Sequence, residues 1–325
     1  MLRIQAEWCA RLGSSLYGLL CSRAADDAAA GGPTAAVLEG HEDDRPASAL
    51  ALRLMGAVHR LVLMGEAPAL ARFYPSAGGD EGVAGAWPAF RALLAERRAE
   101  LRVLLENGVQ TNEVGRAAAL APGVHTVAHE TGLPLRILEM GTSAGLNLRW
   151  DRFRYETADR AWGDAGSPVV LRDAWETPVP PFATSTTVVE RAGCDPSPVD
   201  PTSDEGRLTL MSYVWPDQRE RFALLRGAIE VARRVPAAVE RASAVDWLPR
   251  RLAAARPGVA TVVFHSIAIA YLERAARGQA LGAIADAGAR ATRNAPVAWL
   301  RMEPGGDERL VATTGFHGRG VRWLL

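Results

Sequence analysis

The sequence is short of cysteine, of net charge and of long apolar runs, and each shortage closes off a class of protein. Only three cysteines occur in 325 residues, Cys9, Cys21 and Cys194. They are odd in number, far apart and without any C-x-x-C pair, so neither a disulfide framework nor a zinc knuckle is expected, and the implied compartment is a reducing cytoplasm. Basic and acidic residues balance at 37 each. A polyanion-binding surface or an electrostatic membrane anchor needs an excess of one sign, so neither nucleic acid nor membrane is an expected partner and a small-molecule substrate is. The N-terminal stretch "MLRIQAEWCARLGSSLYGLLCSRAADD" is interrupted by Glu7 and Arg11 before any apolar run reaches signal-peptide length, and no segment approaches a membrane span.

What the chain does have is apolar substance, 48% of its residues, enough for one large core or two modest ones. Its pattern changes midway. Residues 1–132 repeat apolar positions at three- and four-residue steps, as in the face Trp87, Phe90, Leu94, Leu101 and Leu105, and predict an all-helical N-terminal domain broken at "AAGGPT", "YPSAGGDEG" and "ENGVQTNE". From residue 133 to 325, short β-rich runs alternate with helical segments, the signature of a mostly parallel α/β sheet. The predicted strands are "LRILEM", "TTVVERAG", "RLTLMSYVW", "AAVERASAV", "GVATVVFHS" and "PVAWLRME", followed by a C-terminal antiparallel hairpin from "RLVATT" and "GVRWLL". An insertion at about 149–185 carries "RFRYE" and "SPVVL" as extra strands.

The chemistry turns on "LRILEMGTSAGLNLRW", Leu135 to Trp150, which contains two overlapping motifs. One is G-x-S-x-G, with Ser143 as a serine nucleophile. The order Ser143, Asp246 or Asp286, His317 matches that of an α/β-hydrolase triad. "GTSAG" also looks like the nucleophile segment of patatin-like acyl hydrolases, but the upstream oxyanion glycines and downstream Asp-Gly of that family are missing. A nucleophile elbow moreover follows several strands, whereas Ser143 follows the first.

The other motif, E-x-G-x-x-x-G, is a glycine loop for a nucleotide-like cofactor. Gly141 and Gly145 admit close backbone approach, and a helix beginning near Ser143 would aim free N–H groups and its dipole at the ligand, with Thr142, Ser143 and Asn147 beside it. The loop resembles that of class I methyltransferases, a Rossmann-like fold. That resemblance implies S-adenosylmethionine, with Glu139 on its amino-acid end. It further implies Asp195 of "ERAGCDPSP" on the ribose, and Asp246 with Trp247 of "SAVDWL" on the adenine. Glu156 is the rival ribose acid, because it falls nearer the usual spacing of about twenty residues from the loop. The dinucleotide fingerprint G-x-G-x-x-G is absent.

His265, ending "VVFHS", is a candidate general base at a strand end. Asn112, Glu113 and Arg116 of "QTNEVGR" and Trp215 and Asp217 of "YVWPDQ" are substrate-pocket candidates. Capping is the simpler role for Thr111 or Asn112, and for Asp217 on the helix that follows it. His125 and His129 share a helix spacing but lack a third ligand, so no metal is expected.

Taken together, "GTSAGLNLRWDRF", "WGDAGSPVVL", "ERAGCDPSPVDP", "SYVWPDQRERFALLRGAI", "VVFHSIAIAYL", "WLRMEP" and "FHGRGVRW" resemble an uncharacterised bacterial family, domain of unknown function 2332. "LMGAVHRLVLMGEAPAL", "FYPSAGG" and "VQTNEVGR" extend the likeness through the helical half. It implies no reaction. The leading expectation is a methyltransferase acting on a small molecule; a serine hydrolase and a non-catalytic nucleoside-binding sensor or scaffold are the alternatives.

Overall fold

The computed structural model describes residues 1–44, 48–175 and 185–303. Two compact units divide the chain. One comprises Met1–Thr111 with Ser203–Ala223, the other Asn112–Thr202 with Leu224–Leu325.

The first unit is helical among its described residues. Its helices include Leu2–Arg11, Ser15–Ala29, Leu50–Leu63, Ala86–Glu96 and Arg98–Leu105. Phe90, Leu94, Leu101 and Leu105 are all fully buried, so the apolar face read from the sequence does pack inward, although the helix is broken at Arg97. The stretch "RLTLMSYVW", read as a strand, lies largely within a helix, Asp204–Ser212. The reason stands just upstream: the Ser203 side chain accepts the Gly206 N–H, and Asp204 and Glu205 occupy the first turn, where acids suit the helix dipole. Ser203→Ala is therefore expected to cost about 1 kcal/mol in urea unfolding, a loss that a strand at this position would not suffer.

The second unit is built on strands β1 (Leu135–Met140), β2 (Arg154–Glu156), β3 (Ala161–Gly163), β4 (Val170–Arg172), β5 (Val188–Asp195), β6 (Ala238–Arg241), β7 (Ala260–Ser266) and β8 (Val297–Met302). Five of these form a wholly parallel sheet in the order β6-β5-β1-β7-β8. Every residue of β1 and β7 is buried, as central strands covered on both faces must be, which is why both appear in the sequence as nearly unbroken apolar runs. Beneath the sheet, Leu138, Met140, Val263, Trp247, Leu248 and Ile284 share one apolar cluster. No strand precedes β1 among the described residues. The β1 strand is central, and the chain leaves it for β5 on one side and later arrives at β7 on the other, which makes its C-terminal end a topological switch point.

The insertion folds on itself as a three-stranded mixed sheet, β3-β2-β4. The predicted "AAVERASAV" strand stops at Arg241, because the Ser243 hydroxyl accepts the Asp246 N–H and starts the helix Ala244–Leu252. His317 and the predicted hairpin of "RLVATT" and "GVRWLL" lie outside the described residues. No helix among the described residues is long and apolar enough to cross a membrane.

Candidate functional site

The glycine loop leaves β1 at the switch point, and three residues in left-handed backbone make its turn: Gly141 at φ +69°, Ser143 at +52° and Gly145 at +67°. For Gly141 and Gly145 the absence of a side chain is also a packing requirement. A Cβ on Gly141 would come within 2.7 Å of Ala268 Cβ, and one on Gly145 within 2.9 Å of Val239 Cγ2.

Five backbone donors of the loop are already in use. Gly141 N–H and Thr142 N–H both donate to Cys194 O, Gly145 N–H donates to Thr142 O, Ser143 N–H donates to Asp195 Oδ2 at 2.9 Å, and Leu146 N–H donates to Asn112 Oδ1 at 2.9 Å. The segment that follows is a 3-10 helix, Leu146–Arg152, and not an α-helix from Ser143. The expectation of free N–H groups aimed at a ligand is corrected on both counts. A loop with most of its donors spent internally is poorly equipped to cradle a phosphate.

Unsatisfied acceptors are a different matter. Glu139, 2% exposed on β1, accepts the Thr142 hydroxyl at 2.5 Å. Burial pushes its pKa up to about 8, against the pull of the Thr142 bond and of the Arg116 and Arg149 charges. Asn147 donates its Nδ2 to Glu113 O, while its Oδ1 is buried with no hydrogen-bond partner. His265 is fully buried; its Nδ1 lies 2.7 Å from Glu303 Oε1, and its Nε2 is a second buried atom with no partner. An unpaired buried polar atom costs roughly 1–3 kcal/mol, so this end of the sheet has capacity for hydrogen-bond donors.

Neighbouring arginines fix the frame. Arg149, 3% exposed, donates to Gly145 O at 2.6 Å and to Val235 O at 2.7 Å. Burial, then the nearby Arg191 charge, lowers its pKa to about 10, so it remains charged near neutrality. Arg116 donates to Ser266 O at 2.9 Å. Asn112, Glu113 and Arg116 are thus drawn to the loop and the β7 end. Glu113, not Thr111 or Asn112, caps the short 3-10 turn Val114–Arg116 by accepting Gly115 N–H.

Asp195 ends β5, next to β1, and spends its two oxygens on Ser143 N–H and Ser197 N–H, so it staples the loop to the neighbouring strand. Glu156 lies on the separate small sheet, paired with Arg154 and Arg172. Asp246 is held by the Ser243 hydroxyl at 2.7 Å in the first turn of its helix, not at a strand end. Trp247 is fully buried in the apolar cluster with its Nε1 donated to Glu240, which leaves no open face for a ring to stack on. Trp215 and Asp217 belong to the first unit. Trp215 packs beside Tyr17, and Asp217 accepts the Leu16 N–H at the start of Ser15–Ala29 rather than capping the helix that follows it.

Sequence reasoning passed over three residues. Glu303 stands directly after β8 in "WLRMEP" and accepts from Ala268 N–H and Ile269 N–H as well as lying against His265. Arg149 was hidden by its place inside the helix after the loop. Ile267 adopts φ +52°, a strained backbone for a β-branched residue, immediately beyond β7. Cys194 is no thiolate nucleophile, because burial pushes its thiol up to about 12.

Elsewhere in the second unit, a cleft of about 240 Å³ is lined by His125, Trp150, Asp151, Tyr155 and Trp162. Asp151 is bound through both oxygens to Arg191, and the Tyr155 hydroxyl donates to Trp150 O. His125 stacks edge-on against Trp150. Among the described residues, no group of three His, Cys, Asp or Glu side chains could hold a metal ion.

No curated protein and no solved structure matches the chain. The model of DUF2332, described as an uncharacterized protein conserved in bacteria, matches residues 1–323, and the chain belongs to that family.

Proposed function

We propose that the second unit binds S-adenosylmethionine, or a related adenosyl compound, at the C-terminal end of β1 and transfers its methyl group to a small molecule. One observation carries this reading: a buried carboxyl, Glu139, sits under a glycine loop at the switch point of a parallel sheet. Ligands of open α/β sheets bind in that crevice. The strand order, which reverses direction about β1, supports a Rossmann-like reading of the sheet.

The chemistry of the residues fits the ligand better than it fits a nucleotide phosphate. Asn147 Oδ1 and His265 Nε2 are buried acceptors without donors, and Glu139 is a buried carboxyl that a cation beside it would ionise. The loop offers no comparable set of open donors for an anion. An adenosyl amino acid brings an ammonium group, hydroxyls and an exocyclic amine, all donors. Glu139 would hold the ammonium, the charge of Arg116 suits the neighbouring carboxylate, and Asp195, one strand over from Glu139, is the acid nearest in the sheet for ribose hydroxyls. When bound, such a ligand supplies an activated methyl group. The protein's own task is to hold it in line with an acceptor and to exclude water.

Wild-type protein is expected to bind S-adenosylmethionine and S-adenosylhomocysteine with micromolar affinity by titration calorimetry, and Gly141→Val to lose that binding. Absence of heat with both ligands removes the reading. The serine-hydrolase reading keeps one observation in its favour, the positive φ of Ser143, which a nucleophile elbow also adopts. It predicts fluorophosphonate labelling at Ser143. Against it, β1 is the first strand of the sheet, and Asp195 already engages the Ser143 N–H.

A further inference from the structure

We propose that His265 and Glu303 form a proton-accepting pair, with Glu303 as the positioning residue and His265 Nε2 as the base, so that the acceptor substrate is a nucleophile that must surrender a proton, such as a hydroxyl or a ring N–H, and not a carboxylate. The substrate class rests on the methyl-transfer reading above. The pair itself rests first on the geometry around His265 and Glu303.

Glu303 Oε1 lies 2.7 Å from His265 Nδ1 and also accepts from Ala268 N–H at 2.9 Å and Ile269 N–H at 3.2 Å. Burial works against its charge, but these bonds outweigh it and hold its carboxyl below the usual carboxylate range. An ionised carboxylate only accepts, so the neutral imidazole beside it must carry its proton on Nδ1 and leave the lone pair on Nε2. That Nε2 is the atom left buried without a partner. Leaving a buried nitrogen unpaired costs free energy, a cost that a proton-donating group of a substrate would relieve.

Two further features bring the pair to the loop. Ala268, whose N–H holds Glu303, is the residue a Gly141 side chain would strike. Between His265 and Ala268 stands Ile267 in left-handed backbone, and strain of this kind persists where the surroundings enforce it, often at functional sites. In the proposed step the proton of the acceptor's O–H or N–H passes to Nε2. Neutral imidazole becomes imidazolium, the acceptor becomes its conjugate base, and the Glu303 carboxylate stabilises the new cation across Nδ1–H.

Long-range proton–nitrogen NMR on labelled protein tests the pair, with the His265 signals assigned by His265→Gln. The expected neutral form has Nδ1 protonated and Nε2 bare. In Glu303→Gln the carboxamide can either accept from Nδ1 or donate to it, so both tautomers appear. A proton on Nε2 in wild type, or a tautomer unmoved by Glu303→Gln in a protein with wild-type circular dichroism, overturns the pair whether or not S-adenosylmethionine binds. For the substrate class, methyl-labelled S-adenosylmethionine is incubated with a bacterial small-molecule extract. The expected product keeps its label in mild alkali, and His265→Gln slows its formation by about 10²–10⁴-fold. No label transferred, or label released by alkali as from a methyl ester, overturns the substrate class. Failure of wild-type protein to bind S-adenosylhomocysteine, with the tautomer as expected, places the fault in the methyl-transfer reading instead.

Discussion

Glu139→Gln is expected to be more stable than the wild type in mild alkali, and to lack part of the wild type's response to pH. Burial raises the Glu139 pKa from an ordinary 4.5 to about 8 in the folded protein. The folded chain therefore holds this proton more tightly than the unfolded chain does. The resulting stability is fully present below about pH 4.5, falls as pH rises, and is gone once the folded group ionises near pH 8. Over that window the wild type loses on the order of 3–5 kcal/mol from this one group. Glutamine keeps the shape and an acceptor oxygen for Thr142 but has no proton to lose. Urea unfolding of both proteins at pH 5, 6.5, 8 and 9 should give a difference that moves in favour of the variant with rising pH and then levels. A constant difference would mean that Glu139 is ionised throughout and its neighbours compensate it better than its burial suggests.

How far such a group could be read from the sequence depends on where its partners come from. The apolar runs "LRILEM" and "GVATVVFHS" identified β1 and β7 because a strand covered on both faces needs apolar residues throughout. "RLTLMSYVW" misled because an apolar run of this length fits either a strand or a helix, and the decisive cap, Ser203, stands outside it. Spacing misled differently. Glu156 is closer than Asp195 to the loop along the chain, but the insertion between them folds as its own small sheet, so in space the next strand to Glu139 is the one that ends in Asp195. Trp247 shows the default winning: an aromatic residue on a helix beside a sheet buries itself in the core. The glycine loop was legible as residue types. Its spent N–H groups were not, because their acceptors, Cys194 O and Asp195, come from a strand about fifty residues away. Glu303 escaped for the same reason, since nothing local links it to His265.

Binding of S-adenosylmethionine at pH 7 is expected to release close to one proton, and Glu139→Gln to abolish the release together with most of the affinity. The ligand-free protein at this pH carries Glu139 mainly protonated, since its pKa stands at about 8. An ammonium group placed against it favours the carboxylate form, so the proton departs as the ligand arrives. Affinity should then rise with pH towards about 8, because below that value part of the binding energy is spent on deprotonation, and fall again where the ligand's own ammonium loses its proton. The released proton is taken up by buffer, so the calorimetric enthalpy should differ between phosphate and Tris by about the difference in their ionisation enthalpies. In Glu139→Gln the two buffers should agree, and affinity should fall by roughly 10–150-fold, the worth of a hydrogen bond to a charged group at about 1.5–3 kcal/mol. Tight binding with no buffer dependence in the wild type would leave the ligand in place but deny Glu139 its ammonium partner. The carboxyl would then be a buried acid held neutral by the fold, and the amino-acid end of the ligand would lie elsewhere along the C-terminal edge of the sheet.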